Sequence, residues 1–178
     1  MSTDLTPTHA TIRPRLETDL PACEQLVRVV YELDGYPGHW PRDLRDFLAQ
    51  PDAIAAWVAL MNGEVVGHVA LLPDSSDASM DLAMAATGLA LERLGFVSRL
   101  FVSPKVRRHG VGRRLLEAAA PFARERGLHP VLDVVTRFQP AIDLYESSGW
   151  TRAGVVTARI PGGVTLEEFV YVGPDVLG

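Results

Sequence analysis

Arg107-Arg108-His109-Gly110-Val111-Gly112 is a basic turn broken by glycines, a composition suited to holding a phosphorylated cofactor. Gly110 and Gly112 carry no side chain to keep a bulky anion away. A helix beginning at Val111 would point unsatisfied N–H groups and a positive dipole end at such an anion. Lys105, Arg107, Arg108, Arg113 and Arg114 place five of the 17 Lys and Arg within ten residues, although the formal net charge is -5. Basic character is therefore local. Tyr145 lies downstream on a short helical segment, where its hydroxyl could serve as an acid group opposite the turn.

Two other phosphate-binding patterns fit poorly. A dinucleotide fingerprint needs G-x-G-x-x-G directly after a strand, but its third position here is Leu115 and about seven residues follow Val102 before the glycines. Asp133 falls near the spacing of the ribose-binding acid of that pattern, without the rest of it. No G-x-x-x-x-G-K-[ST] stretch occurs. A surface helix start with solvated arginines is the remaining alternative.

The elements that must position these residues are legible from pattern. Val97 to Val102 is a β-branched and aromatic run stopped at Pro104, which offers no donor to a sheet ladder. Leu115, Ala119, Phe122 and Ala123 recur at helical spacing, and Gly127 suits a left-handed helix end, predicting a helix over 111–126. Pro130 to Val135 reads as the next strand. Upstream, Ala10 to Arg15 reads as a strand, and Asp19 is expected to cap a helix reaching about Tyr31, its carboxylate accepting orphan amides. Gly35 to Pro41 is a loop, and Leu44, Phe47 and Leu48 mark a short helix ended before Pro51. Asn62-Gly63 between 53–61 and 64–72 is a hairpin signal. Ser79 to Thr87 reads as a helix stopped by Gly88. Arg152 to Ile160 and Leu166 to Val172 close the chain as strands around Pro161-Gly162-Gly163. The total is seven strands and four or five helices.

A chain of 178 residues is ordinarily one domain, here 1–178 with 1–9 as a flexible tail. The apolar fraction of 47% is ordinary, and no apolar run approaches the roughly 20 residues that cross a bilayer. Met1 to Pro7 does not read as a secretion signal. The single Cys23 has no internal disulfide partner, so a reducing cytoplasm is expected; it shares a helix face with Leu20, Leu26, Val27 and Val30 and reads as core. Net negative charge without a basic arm argues against nucleic acid, and no membrane partner is expected.

Arg107-x-x-Gly110-x-Gly112 after Leu100-Phe101-Val102-Ser103-Pro104 resembles the acetyl-coenzyme A signature of the GNAT superfamily of N-acetyltransferases, Q/R-x-x-G-x-G/A. Pro130 to Val135 resembles that family's next strand, and Ala141-Ile142-x-Leu144-Tyr145-Glu146-x-x-Gly149-Trp150 its following helix and turn. Ile12-Arg13-Pro14 with Asp19-Leu20 is similar to its opening strand and first helix. The resemblance implies an α+β fold: a mixed, mostly antiparallel seven-stranded sheet with a splay between strands 4 and 5, flanked by the helices. The pantetheine arm would lie in the splay, satisfying backbone groups that paired strands would otherwise satisfy. Leu100, Phe101 and Val102 would line it, with an N–H near Val102 stabilising charge on the thioester oxygen. Arg107, Arg108, His109, Gly110, Val111, Gly112 and Arg113 would hold the pyrophosphate. Phe138 stands where the family often has Asn and could stack on the arm. The co-substrate implied is acetyl-CoA, with no metal.

Tyr145 matches the family position that serves the departing thiolate. A phenol near pKa 10 is a weaker acid than a thiol near 8.5, so full proton donation is uphill by about 2 kcal/mol and a hydrogen bond is expected instead. The acceptor would be a primary amine of a small molecule or peptide. An amine of pKa about 10.4 carries a deprotonation penalty near 4.6 kcal/mol at pH 7, so a base or water relay is needed. Gly95 and Phe96 occupy the positions where relatives often carry a carboxylate. His68, Asp81 and Glu92 are the candidates, and Tyr36, His39, Trp40 and Trp57 could line the acceptor pocket. The resemblance implies direct attack of an amine on the thioester. The alternative is a non-catalytic acyl-CoA binding or sensing module that lost its base. The acceptor's identity is open, and so is the oligomeric state, a homodimer included.

Overall fold

Asn62 and Gly63 both adopt left-handed angles, φ 53° and 78°, and close the hairpin between β2 (Ala55–Met61) and β3 (Glu64–Leu72). Such a two-residue turn matches the twist of the strands it joins. A computed structural model describes residues 9–175, so most of the expected tail, residues 1–8, lies outside the described range. The remaining strands are β1 (Thr11–Pro14), β4 (Leu94–Val102), β5 (His129–Val135), β6 (Thr151–Ile160) and β7 (Val164–Val172). They form one sheet in the order β1-β2-β3-β4-β5-β7-β6. Only β4 and β5 run parallel, as a mostly antiparallel mixed sheet requires. The last hairpin folds back so that β7, not β6, lies beside β5.

Five helices cover the sheet: α1 (Leu20–Asp34), α2 (Leu44–Leu48), α3 (Asp77–Thr87), α4 (Val111–Glu125) and α5 (Gln139–Ser147). One face packs α4 and α5 through Leu115, Leu116, Ala119, Ile142 and Tyr145 against Val69, Leu71, Leu132 and Val134. The opposite face carries α1 and α2, through Leu20, Cys23, Val27 and Leu48 on Val58 and Phe101, and α3 on Phe96 and Val170. Cys23 is fully buried there, as its helix face predicts. No helix among the described residues is long and apolar enough to cross a membrane.

The expected Asp19 cap is not made. A 3-10 turn at Glu17–Asp19 already gives Asp19 helical angles, φ -81° and ψ -19°, so its carboxylate cannot reach back over the first amides. Its Oδ2 accepts from the Leu16 N–H at 2.7 Å, and the carboxylate takes a bidentate pair from Arg13 at 2.7 and 2.9 Å. That guanidinium holds the Asp19 carboxyl below its ordinary range. Asp43 and Ser76 do cap α2 and α3, accepting from Asp46 and Ser79.

Candidate active site

β4 and β5 pair only from Leu94 to Phe96 against His129 to Val131. Beyond that the strands separate, while β5 continues along β7 and β4 along β3. A cavity of about 1880 Å³ opens in the splay, bounded by Val97 to Val102 on one side and Asp133 to Val135 on the other. Unpaired strand edges inside such a cavity leave amides and carbonyls for a ligand with peptide-like groups.

At one end the cavity meets the start of α4. Gly110 is its N-cap with φ 75°, and among the described residues no side chain caps the first-turn amides. A Cβ at Gly110 would meet nothing within 4 Å, whereas one at Gly112 would stand 3.0 Å from Leu144 Cδ2 of α5. Gly112 therefore lets α4 and α5 approach, and Gly110 leaves its outer space open. These donors, with Arg108 beside them, fit a diphosphate, and Arg113 lines the same end while its Nη2 donates to Ser147 Oγ at 3.0 Å. Arg107 lines the same end but pairs with Asp34 at the close of α1.

On β4, Arg99 and Leu100 together oppose Val69, a bulge in which Arg99 takes a left-handed φ of 54°. Such geometry in a non-glycine residue needs support. His68 supplies it: Nδ1–H donates to the Arg99 carbonyl at 2.8 Å, and Nε2 accepts from Arg15 Nη1 at 2.9 Å. The ring is fully buried and stacked 5.0 Å from Phe101, and burial pushes its pKa down to about 3. Arg15 also donates to the Leu48 carbonyl at 2.6 Å, and Arg99 Nε to the Phe47 carbonyl at 3.1 Å. Two arginines linked through one histidine thus satisfy the last carbonyls of α2 and fix that helix over the cavity.

Tyr145 is 6% exposed, packed between Trp150 and Tyr171, and lines the cavity from the α5 side. Its hydroxyl takes no hydrogen bond within the described residues, and burial raises its pKa further above that of an ordinary phenol. On the opposite face of the sheet, Asp133 of β5 and Glu168 of β7 lie diagonally across paired strands, their carboxyls close enough to act on each other. Ser75 Oγ donates to Asp133 Oδ2. Burial, then the Asp133 charge, hold the Glu168 carboxyl well above the ordinary carboxylate range.

Residues 20–150 match the acetyltransferase (GNAT) family. The chain belongs to the GNAT family. It is 32% identical over 141 residues to the IAA acetyltransferase of Azospirillum brasilense, covering 75% of this chain and 82% of that one. It is likewise 32% identical over 124 residues to rat N-acetyltransferase family 8 member 2, covering 67% of this chain. The chain spans about half (50%) of that rat protein's length. The fold matches Arabidopsis thaliana NAA60 in complex with acetyl-CoA at TM-score 0.67 and 18% identity, covering 92% and 97% of the two chains.

In this GNAT chain the cavity gathers Leu100, Phe101, Val102, Arg107, Arg108, Gly110, Val111, Gly112, Arg113, Phe138 and Tyr145, with Tyr36, His39 and Trp40 at its other end. His109 is exposed and does not line it. Among the proposed bases, His68 is sealed in the core with both nitrogens engaged, so it holds the bulge and cannot exchange a proton with a substrate. Glu92 lies in an exposed 3-10 turn before β4 and Asp81 on the outer side of α3, both away from the cavity. Trp57 points to the α4 face, edge-on to Phe122 at 5.0 Å. Arg99, Asp133 and Glu168 also line the cavity, a grouping that the sequence reading did not find. Asp133 did carry a signal, being the one charged residue in the apolar run 130–135. Among the described residues no group of His, Cys, Asp or Glu is placed to hold a metal.

Proposed function

We propose that this protein is an acetyl-CoA dependent N-acetyltransferase that passes the acetyl group directly to a primary amine. The observation that carries the reading is one continuous cavity joining the uncapped start of α4, the open edges of β4 and β5, the Tyr145 hydroxyl and the Asp133–Glu168 pair. Its similarity to the IAA acetyltransferase and to the rat N-acetyltransferase supports it.

Acetyl-CoA supplies an activated thioester; the chain supplies position and proton handling. Amides at the start of α4, with Arg108 and Arg113, bind the diphosphate, and the open strand edges hold the arm. The incoming amine loses its proton towards Asp133 and Glu168. A carboxylate of raised pKa, once ionised, is a stronger base than an ordinary one. The amine nitrogen then bonds to the carbonyl carbon, the carbon–sulfur bond breaks, and the Tyr145 hydroxyl hydrogen-bonds the departing sulfur. No covalent enzyme intermediate is needed. The lone buried Cys23 is consistent with a cytoplasmic setting.

Thiol release from acetyl-CoA, measured with polyamines, aminoglycosides, amino acids and peptides as acceptors, tests the reading. Release above background with at least one class supports it. Calorimetric binding of acetyl-CoA with flat release throughout would instead indicate an acyl-CoA sensing module.

A further inference from the structure

Arg99, Asp133 and Glu168 line the same cavity, Arg99 from β4 and the two carboxyls from β5 and β7. Its guanidinium lies over the Phe47 ring, 4.0 Å from the centroid, with Nε on the Phe47 carbonyl and Nη1 on Ser98 Oγ at 3.0 Å. A guanidinium carries five N–H donors in a fixed fork, so donors remain to spare on the edge that Nη2 completes. Both carboxyls act on this cation through space, yet neither forms an ion pair with it among the described residues. A half-buried cation and an acid pair whose Glu168 is buried, held apart in one cavity, are best satisfied by something charged at both ends lying between them.

We propose that the acceptor is a free α-amino acid with an apolar side chain: its carboxylate docks on Arg99 and its ammonium meets Asp133 and Glu168. The planar fork of arginine matches a carboxylate bidentately, which a lysine or a lone amide would not. Tyr36, Trp40, Phe47 and Leu166 form the apolar wall beside these charges. The inference rests on the acetyl-transfer reading and narrows it to a substrate class. A polyamine leaves Arg99 without a counter-charge, and a peptide N-terminus offers it only a neutral carbonyl.

The test compares substrates that differ only in the carboxylate. With saturating acetyl-CoA, thiol release is measured for L-phenylalanine against phenethylamine and L-leucine against 3-methylbutylamine. The amino acids are expected to have kcat/KM higher by about tenfold or more, the worth of a charge-assisted hydrogen-bonded pair. Arg99→Gln should bring that ratio towards one, chiefly through KM for the amino acid. Should the variant not fold, the wild-type comparison decides alone. Equal or faster release with the decarboxylated amines, or release only with peptides, overturns docking on Arg99 while acetyl transfer stands. No release with any amine, although acetyl-CoA binds, overturns both.

Discussion

His68 Nδ1–H donates to the carbonyl of Arg99 across 2.8 Å, and this bond holds the β4 bulge from the far side of the cavity wall. Removing it leaves the Arg99 carbonyl without its side-chain donor and Arg15 Nη1 with the Leu48 carbonyl alone. His68→Gln is expected to cost on the order of 2 kcal/mol at pH 7. The sign of the acid response follows from the lowered pKa. Between about 6.5 and about 3 the unfolded chain binds a proton at this site and the folded chain does not, so stability falls as pH falls. The slope from one such group is about 1.4 kcal/mol per pH unit. Urea unfolding at pH 7 and pH 5 checks it: the wild type should lose more stability on acidification than His68→Gln, and parallel losses would remove His68 from the acid response.

Glu168 gives the opposite sign. A carboxyl whose folded pKa is raised contributes stability that is lost as pH rises above the unfolded value near 4.3 and through the folded one. Glu168→Gln keeps a hydrogen-bond donor towards Asp133 and removes that loss. The variant should be at least as stable as the wild type at pH 8, while kcat/KM falls by about a hundredfold if the pair accepts the amine's proton. The wild-type rate should rise with pH as the Glu168 proton is lost, and that limb should vanish in the variant. Thermal unfolding and a pH–rate profile on the same preparations separate the two effects.

What was legible in the sequence was what depends on neighbours along the chain. Asn62-Gly63, Gly88, Gly110 and Gly127 each mark a turn or helix end through their own backbone angles, and all five residues adopt positive φ. Asp19 misled because a 3-10 turn, which leaves little periodic signature, precedes α1. Trp57 and His68 misled because strand alternation says that adjacent residues face opposite ways without saying which face carries which helices. The acid pair needs β7 beside β5, a pairing of distant segments that no local pattern encodes. The Arg99 bulge is equally non-local, since its partner strand and His68 decide it.

Tyr145→Phe isolates the hydroxyl. The ring packs on Trp150 and Tyr171, and these contacts survive the substitution. Because the hydroxyl takes no hydrogen bond from the described residues, folding stability should change little. Calorimetry should give an acetyl-CoA affinity close to that of the wild type, while kcat falls by about tenfold, the worth of one hydrogen bond to a developing thiolate. Unchanged kcat would remove Tyr145 from the reaction.

The cradle itself is tested through Asp34, which pairs with Arg107 at the close of α1. A diphosphate arriving at the start of α4 competes with this carboxylate for the Arg107 guanidinium, and the added negative charge opposes the anion. Asp34→Asn removes both effects and leaves the α4 amides untouched. Affinity for acetyl-CoA should increase severalfold, and by more at low salt than at high salt, because both residues of the pair are partly solvent-exposed and screened accordingly. Gly112→Val is the opposing control: its side chain would press on Leu144, where even a Cβ stands at 3.0 Å, and block the approach of α4 to α5. Titrations of both variants at two ionic strengths should show tighter binding for Asp34→Asn and weaker binding for Gly112→Val. Weaker binding in Asp34→Asn would mean that the ion pair orders Arg107 for the diphosphate instead of competing with it.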